Sequence, residues 1–394
     1  MKYQRLENES DEALIFRVAK DKELIGTWQD VADILNPLLG TDYGESTFRK
    51  KYTAFTQMFE ANRNVFTDTS SEIKELNEAK RALEIEKWKF RDERNEWNRQ
   101  NRIHARAEEK LDGLEEVLKD IGCVVFPAHI IPSSVGSGKS MLILLSDFHI
   151  GAEYSNYFGE YDTYIAKDRV GQLLESVKKV ADTHKVNDCY VCLLGDMISG
   201  SIHHSVQVTN RENVIEQIKS AAEIVGSFCY ELTKMFSMVT MISVDGNHSR
   251  FDDKDRAIHD ERADQLIPFC TNMLLSHINN FYYCEEANID SGIAMFMIND
   301  KTYIAVHGDY DAFTDVGVKN LISVIHTIPY AVLFGHKHFP ATSECVGVKM
   351  IQNGSLCGAG DQFTVERRLG GKANQTICVC DDKGIEAYYP VELE

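Results

Sequence analysis

No apolar run in these 394 residues approaches the length of a membrane span, so no membrane-embedded helix is expected. The first twelve residues are polar and acidic, and no secretory signal is expected there. Basic charge is scarce: 42 Lys and Arg stand against 61 Asp and Glu, a net charge of −19. The deficit is uneven. Residues 1–140 hold 22 basic and 26 acidic side chains, and residues 141–394 hold 20 and 35. An acidic surface disfavours non-specific nucleic-acid binding, so any grip on nucleic acid is expected from the N-terminal part. The ten cysteines make no framework. Cys189-x-x-Cys192 has zinc-like spacing but lacks a second pair and sits in an apolar run. Reduced core cysteines in a cytoplasmic protein, host cytoplasm if phage-encoded, are the expectation. A nucleotide-binding loop is excluded as well. Gly138-Lys139-Ser140 resembles the end of one, but position 133 is Ser where Gly is required, and the segment precedes a strand.

What is present is a repeated arrangement. The run Leu142 to Ser146 is short and apolar, as a buried strand is, and leads into Asp147-Phe-His149-Ile-Gly151. Tyr190 to Leu194 leads into Gly195-Asp196. Val239 to Val244 leads into Asp245-Gly246-Asn247-His248. Tyr303 to Val306 leads into His307-Gly308-Asp309, and Tyr330 to Phe334 into Gly335-His336-Lys337-His338. Strand ends in an open α/β sheet share one crevice, so residues distant in sequence meet there. The inventory is Asp147, His149, Asp196, Asn247, His307, His336 and His338. It is enough for two metal ions sharing a carboxylate. Mixed carboxylate, amide and imidazole donors suit Mn, Fe or Zn better than Mg or Ca.

The ordered set Asp147-x-His149, Gly195-Asp196, Gly246-Asn247-His248, His307, Gly335-His336-x-His338 resembles the calcineurin-like metallophosphoesterase family, from about Met141 to the end. Within it the likeness is to SbcD-type repair nucleases and their phage-encoded relatives. The resemblance implies an α/β fold, a four-layered sandwich of two mixed sheets flanked by helices. It implies that Asp147, His149 and His338 hold one divalent ion and Asn247, His307 and His336 a second, with Asp196 bridging. Manganese is favoured, with Fe, Zn or Mg as alternatives. His248 would face the substrate and assist the leaving oxygen. Such ions, about 4 Å apart, clamp the attacking and departing oxygens of a phosphoryl displacement. Two positions depart from the family pattern. Ser249 replaces the acid that normally orients the catalytic His, a role Asp252, Asp253 or Asp255 could take. Ser199 replaces an Asp expected beside the metal ligands.

Upstream, residues 1–65 read as helical. Thr27 is a good N-cap with Asp30 completing a box, and Trp28, Val31, Ala32, Leu35 and Leu39 share one face. After a turn at Gly40 to Gly44, a second helix carries Phe48, Tyr52 and Phe55 on its apolar side, with Arg49, Lys50 and Lys51 exposed. The outline resembles the small helix-turn-helix units of phage and prophage proteins, with those three cations as DNA contacts. Residues 66–122 read as a charged helix, strongest over 71–119. Leu76, Leu83, Phe90, Trp97, His104, Leu111 and Leu118 recur every seven positions, a stripe for packing on another helix or for homo-oligomerisation. Residues 123–140 read as a linker and 141–394 as the catalytic domain. There, helices are expected over Ala166 to His184, Val214 to Phe236 and Arg256 to His277. Later strands are expected over Tyr282–Cys284, Ala294–Ile298, Thr302–Val306, Val346–Gln352, Thr376–Cys380 and Ile385–Tyr389.

His203, His204, Arg211 and Arg250 are candidate phosphate contacts, and Tyr154, Tyr157, Phe158 and Tyr161 candidate base-stacking residues. Asn353-Gly354-Ser355 reads as a turn supporting the His338 side. The functional expectation is a divalent-metal-dependent phosphodiester hydrolase acting on DNA. The alternatives are a small-molecule phosphodiesterase or phosphatase, and a DNA-binding or assembly protein with a vestigial site.

Overall fold

The computed structural model describes residues 3–66, 74, 76–98, 101, 126–132, 138–202, 210–252, 257–361, 364–365, 368 and 371–394. The chain forms two units, Met1–His104 and Ala105–Glu394.

In the first unit, α1 (Asp11–Lys20), α2 (Lys22–Ile25), α3 (Trp28–Leu39), α4 (Glu45–Ala61) and α5 (Arg63–Phe66) precede a helix, α6, over 76–98. The Thr27–Asp30 box forms: Asp30 N–H donates to the Thr27 hydroxyl, and Thr27 N–H to the Asp30 carboxylate at 2.7 Å. Two of the first orphan amides of α3 are thereby satisfied. Leu14, Ile15, Val18, Val31, Ala32, Leu35 and Phe48 form the core, and Trp28 and Tyr52 pack on it. Phe55 stays partly outside, at 39 % exposure. The seven-residue stripe of α6 is uncovered among the described residues, with Leu76, Leu83, Phe90 and Trp97 all more than half exposed. Packing on another helix of the same chain is therefore not seen for these four. His104, Leu111 and Leu118 lie outside the described residues.

The second unit holds two six-stranded mixed sheets. One runs β14 (Gly384–Glu392), β13 (Asn374–Asp381), β1 (Ser140–Leu145), β4 (Asp188–Leu193), β5 (Met238–Ser243), β6 (Phe281–Tyr283); β1, β4, β5 and β6 are parallel. The other runs β11 (Ala341–Cys345), β12 (Val348–Gln352), β10 (Ala331–Phe334), β9 (Lys301–Val306), β8 (Ile293–Ile298), β7 (Asn288–Asp290), with β9, β10 and β12 parallel. A hairpin of β2 (Tyr154–Asn156) and β3 (Gly159–Tyr161) stands apart.

Strand alternation sorts the core into three slabs. Met141, Ile143 and Leu145 of β1 face α7 (Thr163–His184), α8 (Val214–Thr233) and α9 (Leu266–Leu275). Leu142 and Leu144 face Ala294, Phe296, Tyr303, Ala305 and Leu333 of the second sheet. Ile304, Val306, Val332 and Phe334 face Val318 and Leu321 of α10 (Asp315–Ile325). Strands buried on both faces must be apolar throughout, which is why the five runs were legible. Cys189 and Cys192 fall in different slabs and so cannot chelate one ion.

Two expected boundaries are corrected. The helix expected from Arg256 begins at Leu266, after a single 3₁₀ turn at Ala263–Gln265. Pro268 accounts for the late start: in the first turn of a helix its missing N–H costs no hydrogen bond. The strand expected over Val346–Gln352 is a hairpin of β11 and β12 turning at Val346-Gly347, both in the left-handed region. Residues 126–132 form no strand.

Candidate metal centre

The parallel strands β1, β4, β5, β9 and β10 all end at one edge, and their loops are stitched by backbone bonds. Asp147 N–H donates to Gly195 O at 3.1 Å, His149 N–H to Asp196 O at 3.0 Å, and Gly335 N–H to His307 O at 2.8 Å. Asp147, His149, Asp196, His336 and His338, five of the seven inventory residues, hold positive φ, between 49° and 69°. Each such non-glycine residue costs on the order of 1–3 kcal/mol and persists only where its surroundings enforce it. Close approach is enforced at Gly195 too, where a Cβ would lie 2.4 Å from Gly246 N.

The seven form two groups. In the first, His149 Nε2 and His338 Nε2 stand 3.2 Å apart, and Asp147 Oδ1 lies 3.3 Å from His338 Nε2 and 3.8 Å from His149 Nε2. In the second, His307 Nε2 is 3.1 Å from Asp196 Oδ2 and 3.1 Å from Asn247 Oδ1, and His336 joins Asp196 and His307. Asp196 lies between the groups, also within ligand reach of His149 and His248. Asp147, His149, Asp196, Asn247 and His307 are buried, whereas His248, His336 and His338 are half-buried at the mouth.

Charge follows this geometry. Burial pushes Asp147 up, but the neighbouring His338 overrides it and holds the carboxyl at about 2. Burial and the nearby His248 push His149 down to about 3, and burial with His307 pushes His336 to about 4. Both imidazoles are thus neutral at pH 7, the form that binds metal. Burial lowers His307, but the Asp196 carboxylate outweighs it and lifts the ring to about 10. The donor set fits divalent metal on a specific observation. Asp147 Oδ1 is buried with no hydrogen-bond partner, a costly state for a carboxylate oxygen unless a cation meets it.

His248 is oriented by a backbone carbonyl. Its Nδ1 sits 2.9 Å from the Ser199 carbonyl, which can only accept, so Nδ1 carries the proton. Its backbone N–H donates to Asp196 Oδ1 at 2.7 Å. Of the acids expected in this role, Asp253 and Asp255 lie outside the described residues. Ser249 donates to Gly246 O and holds the loop. Sequence reasoning missed Asp264, which is buried. Its Oδ2 accepts from Asp196 N–H and Gly246 N–H, both at 2.9 Å, and so ties the loops after β4 and β5 together.

Other candidates are sorted by burial. Arg250 is buried, and its Nε donates to Asn247 O at 2.8 Å, so it braces the ligand loop instead of forming a surface ion pair. Arg211 is exposed and lies 3.7 Å from Glu153. His203 and His204 lie outside the described residues. Tyr161 is buried with its hydroxyl on Phe148 O, so it cannot stack a base, and half-buried Tyr154 donates to Cys357 O. Tyr157, at 97 % exposure, and Phe158 stand at the hairpin tip. The Asn353-Gly354-Ser355 turn braces Asp147, which shares its group with His338: Ser355 donates to Asp147 O, and Asn353 to Leu144 O. Arg49, Lys50 and Lys51 are exposed on α4, with Arg49 3.7 Å from Glu45.

Fold and site together define a mixed α/β protein with two large mixed sheets and a candidate dinuclear centre at their shared strand edge. Among known proteins, residues 1–67 match the family described as the YonJ N-terminal domain. The chain is 20 % identical over 375 residues to the SPbeta prophage-derived uncharacterized protein YonJ of Bacillus subtilis (strain 168), spanning 92 % of this chain and 91 % of that protein. Solved structures similar to it include a novel archaeal phosphodiesterase (13 % identity, 64 % of this chain and 99 % of that one, TM-score 0.32). Vacuolar protein sorting 29 of Cryptosporidium parvum is another (13 %, 65 % and 100 %, TM-score 0.33). Likeness at this level leaves the functional reading to the site's own geometry. Among the described residues, no helix is long and apolar enough to cross a membrane.

Proposed function

We propose that this chain is a divalent-metal-dependent phosphoester hydrolase of the calcineurin-like metallophosphoesterase type. The observation that carries the reading is the convergence of seven O and N donors from five loops, among them Asp147 Oδ1, buried without a hydrogen-bond partner. Asp147, His149 and His338 would hold one ion, Asn247, His307 and His336 the other, with Asp196 between them. A pair of divalent ions there would polarise a phosphoryl oxygen and lower the pKa of a water toward about 7. His248, held through Nδ1–H on Ser199 O, presents Nε2 at the half-buried mouth, where its imidazolium form can donate the Nε2 proton to a departing oxygen.

For the substrate we favour a phosphodiester, DNA in particular, with Arg49, Lys50 and Lys51 of the first unit as backbone contacts. The exposed cations after the α3–α4 turn support this. The relative's prophage origin supports a phage-encoded protein working in a host cytoplasm. A second reading, a small-molecule phosphodiesterase or phosphatase, is favoured by the net −15 of residues 141–394, from 20 basic and 35 acidic residues. The deciding panel is bis-p-nitrophenyl phosphate, p-nitrophenyl phosphate, a cyclic nucleotide and labelled single- and double-stranded DNA, each with Mn. Hydrolysis of the first with DNA cut supports the nuclease. A cyclic nucleotide cleaved with DNA untouched replaces it with the second reading. No turnover with any metal sinks the hydrolase.

A further inference from the structure

Cys357 lies in the loop between β12 and β13, outside all five strand-end motifs. It is buried, and its Sγ and the ligand nitrogens of His149 and His338 all lie within 4.8 Å of one another. Its backbone is fixed from several sides. Its N–H donates to Asp147 O at 3.4 Å, and its carbonyl accepts from Arg169 Nη1 at 3.0 Å and from the Tyr154 hydroxyl. The Ser355 hydroxyl is 2.9 Å from Sγ and braces the thiol. A buried cysteine is ordinary packing, and this chain has several in its strands. What separates Cys357 is its company. Asp147 Oδ1, buried without a hydrogen-bond partner, lies beside the two imidazoles, 3.3 Å from His338 Nε2 and 3.8 Å from His149 Nε2. Two imidazoles and one sulfur thus converge with a carboxylate alongside, donor types that hold zinc.

The geometry points to Cys357 as a further ligand of the first metal position, biasing it toward a thiophilic ion such as Zn(II), Fe(II) or Co(II) over Mn(II) or Mg(II). This rests on the dinuclear reading above. Oxygen and imidazole donors alone discriminate weakly among these ions, whereas a thiolate selects against the hard ones. On binding, the ion displaces the S–H proton, which goes to solvent.

The test uses the full chain, stripped with chelator and reloaded with Co(II). Visible d–d bands report bound cobalt, and a near-ultraviolet thiolate-to-cobalt band reports sulfur ligation. The wild type should show both. Cys357→Ser should keep the d–d bands and lose the near-ultraviolet band, and its zinc-over-manganese preference should fall about tenfold or more. Should Cys357→Ser fail to fold, the wild type decides alone: zinc X-ray absorption should show a sulfur neighbour at about 2.3 Å. Two cobalt ions per chain with no sulfur signal overturn the cysteine assignment and leave the dinuclear reading standing. A sulfur band unchanged in Cys357→Ser places the ion on another cysteine and overturns it equally. No cobalt bound at all overturns the dinuclear reading and this inference with it.

Discussion

Asp264 offers the sharpest test of how the site is held. Its Oδ2 accepts the amide hydrogens of Asp196 and Gly246 at 2.9 Å each, inside a buried pocket. Asp264→Ala strands both donors. A stranded buried donor costs about 1–3 kcal/mol, so the loss should be about 2–6 kcal/mol. Asp264→Asn keeps one oxygen for both bonds and should fold nearly as well at low pH. The two diverge as pH rises. Burial, and then the Asp196 charge, lift the Asp264 carboxyl to about 6, whereas an unfolded Asp titrates near about 3.9. The folded value is the higher one, so its stabilisation is complete below pH of about 4 and lost as pH rises through 6. Two units at about 1.4 kcal/mol each make that loss about 3 kcal/mol. Metal-free Asp264→Asn should therefore gain on the wild type by up to that amount between pH 4 and 7. Urea unfolding in chelator, followed by far-ultraviolet circular dichroism, measures it. Tryptophan fluorescence would report the other unit, since Trp28, Trp88 and Trp97 all lie there. An Ala variant within about 0.5 kcal/mol of wild type, or an Asn difference flat with pH, would refute the reasoning.

Three further outcomes are expected. Asp196→Asn should bind at most one metal per chain by elemental analysis, because the shared carboxylate is gone; two retained ions would show that Asp196 does not bridge. His248→Ala should keep its metal content but lose about 10²–10⁴-fold in turnover of bis-p-nitrophenyl phosphate, and a change below threefold would remove His248 from the chemistry. Metal loading at pH 7 should release a proton from His307, whose ring lies between the Leu194 carbonyl at 2.7 Å and the Asp196 and Asn247 oxygens and is lifted to about 10. Affinity should then climb with pH up to about that value, and titration calorimetry in buffers of differing ionisation enthalpy should detect the release; identical heats in all buffers would contradict it.

The sequence made the candidate ligands readable because each follows immediately on a strand buried on both faces. Such strands are mostly apolar, so the polar residues just past each run mark the sheet edge. Asn247, His307 and the others could be named for that reason. The Thr27–Asp30 box was equally plain, since capping is a local interaction over four residues. Polar edge strands such as β11, Ala-Thr-Ser-Glu-Cys, carry no such pattern and went unseen. Nor did the pattern warn that Pro268 would delay α9.

The residue types and chain order of the dinuclear donor set were thus determined by the sequence itself, through solvent exclusion acting on single strands. Tertiary structure alone decided the rest. Asp264 meets Asp196 from 68 positions away, and Cys357 reaches His149 from a loop bearing no motif. His248 is oriented by the Ser199 carbonyl, a group every residue possesses and no sequence advertises. Ligands at positive φ are held there by bonds between loops of neighbouring strands, and such bonds exist only once distant strands have paired.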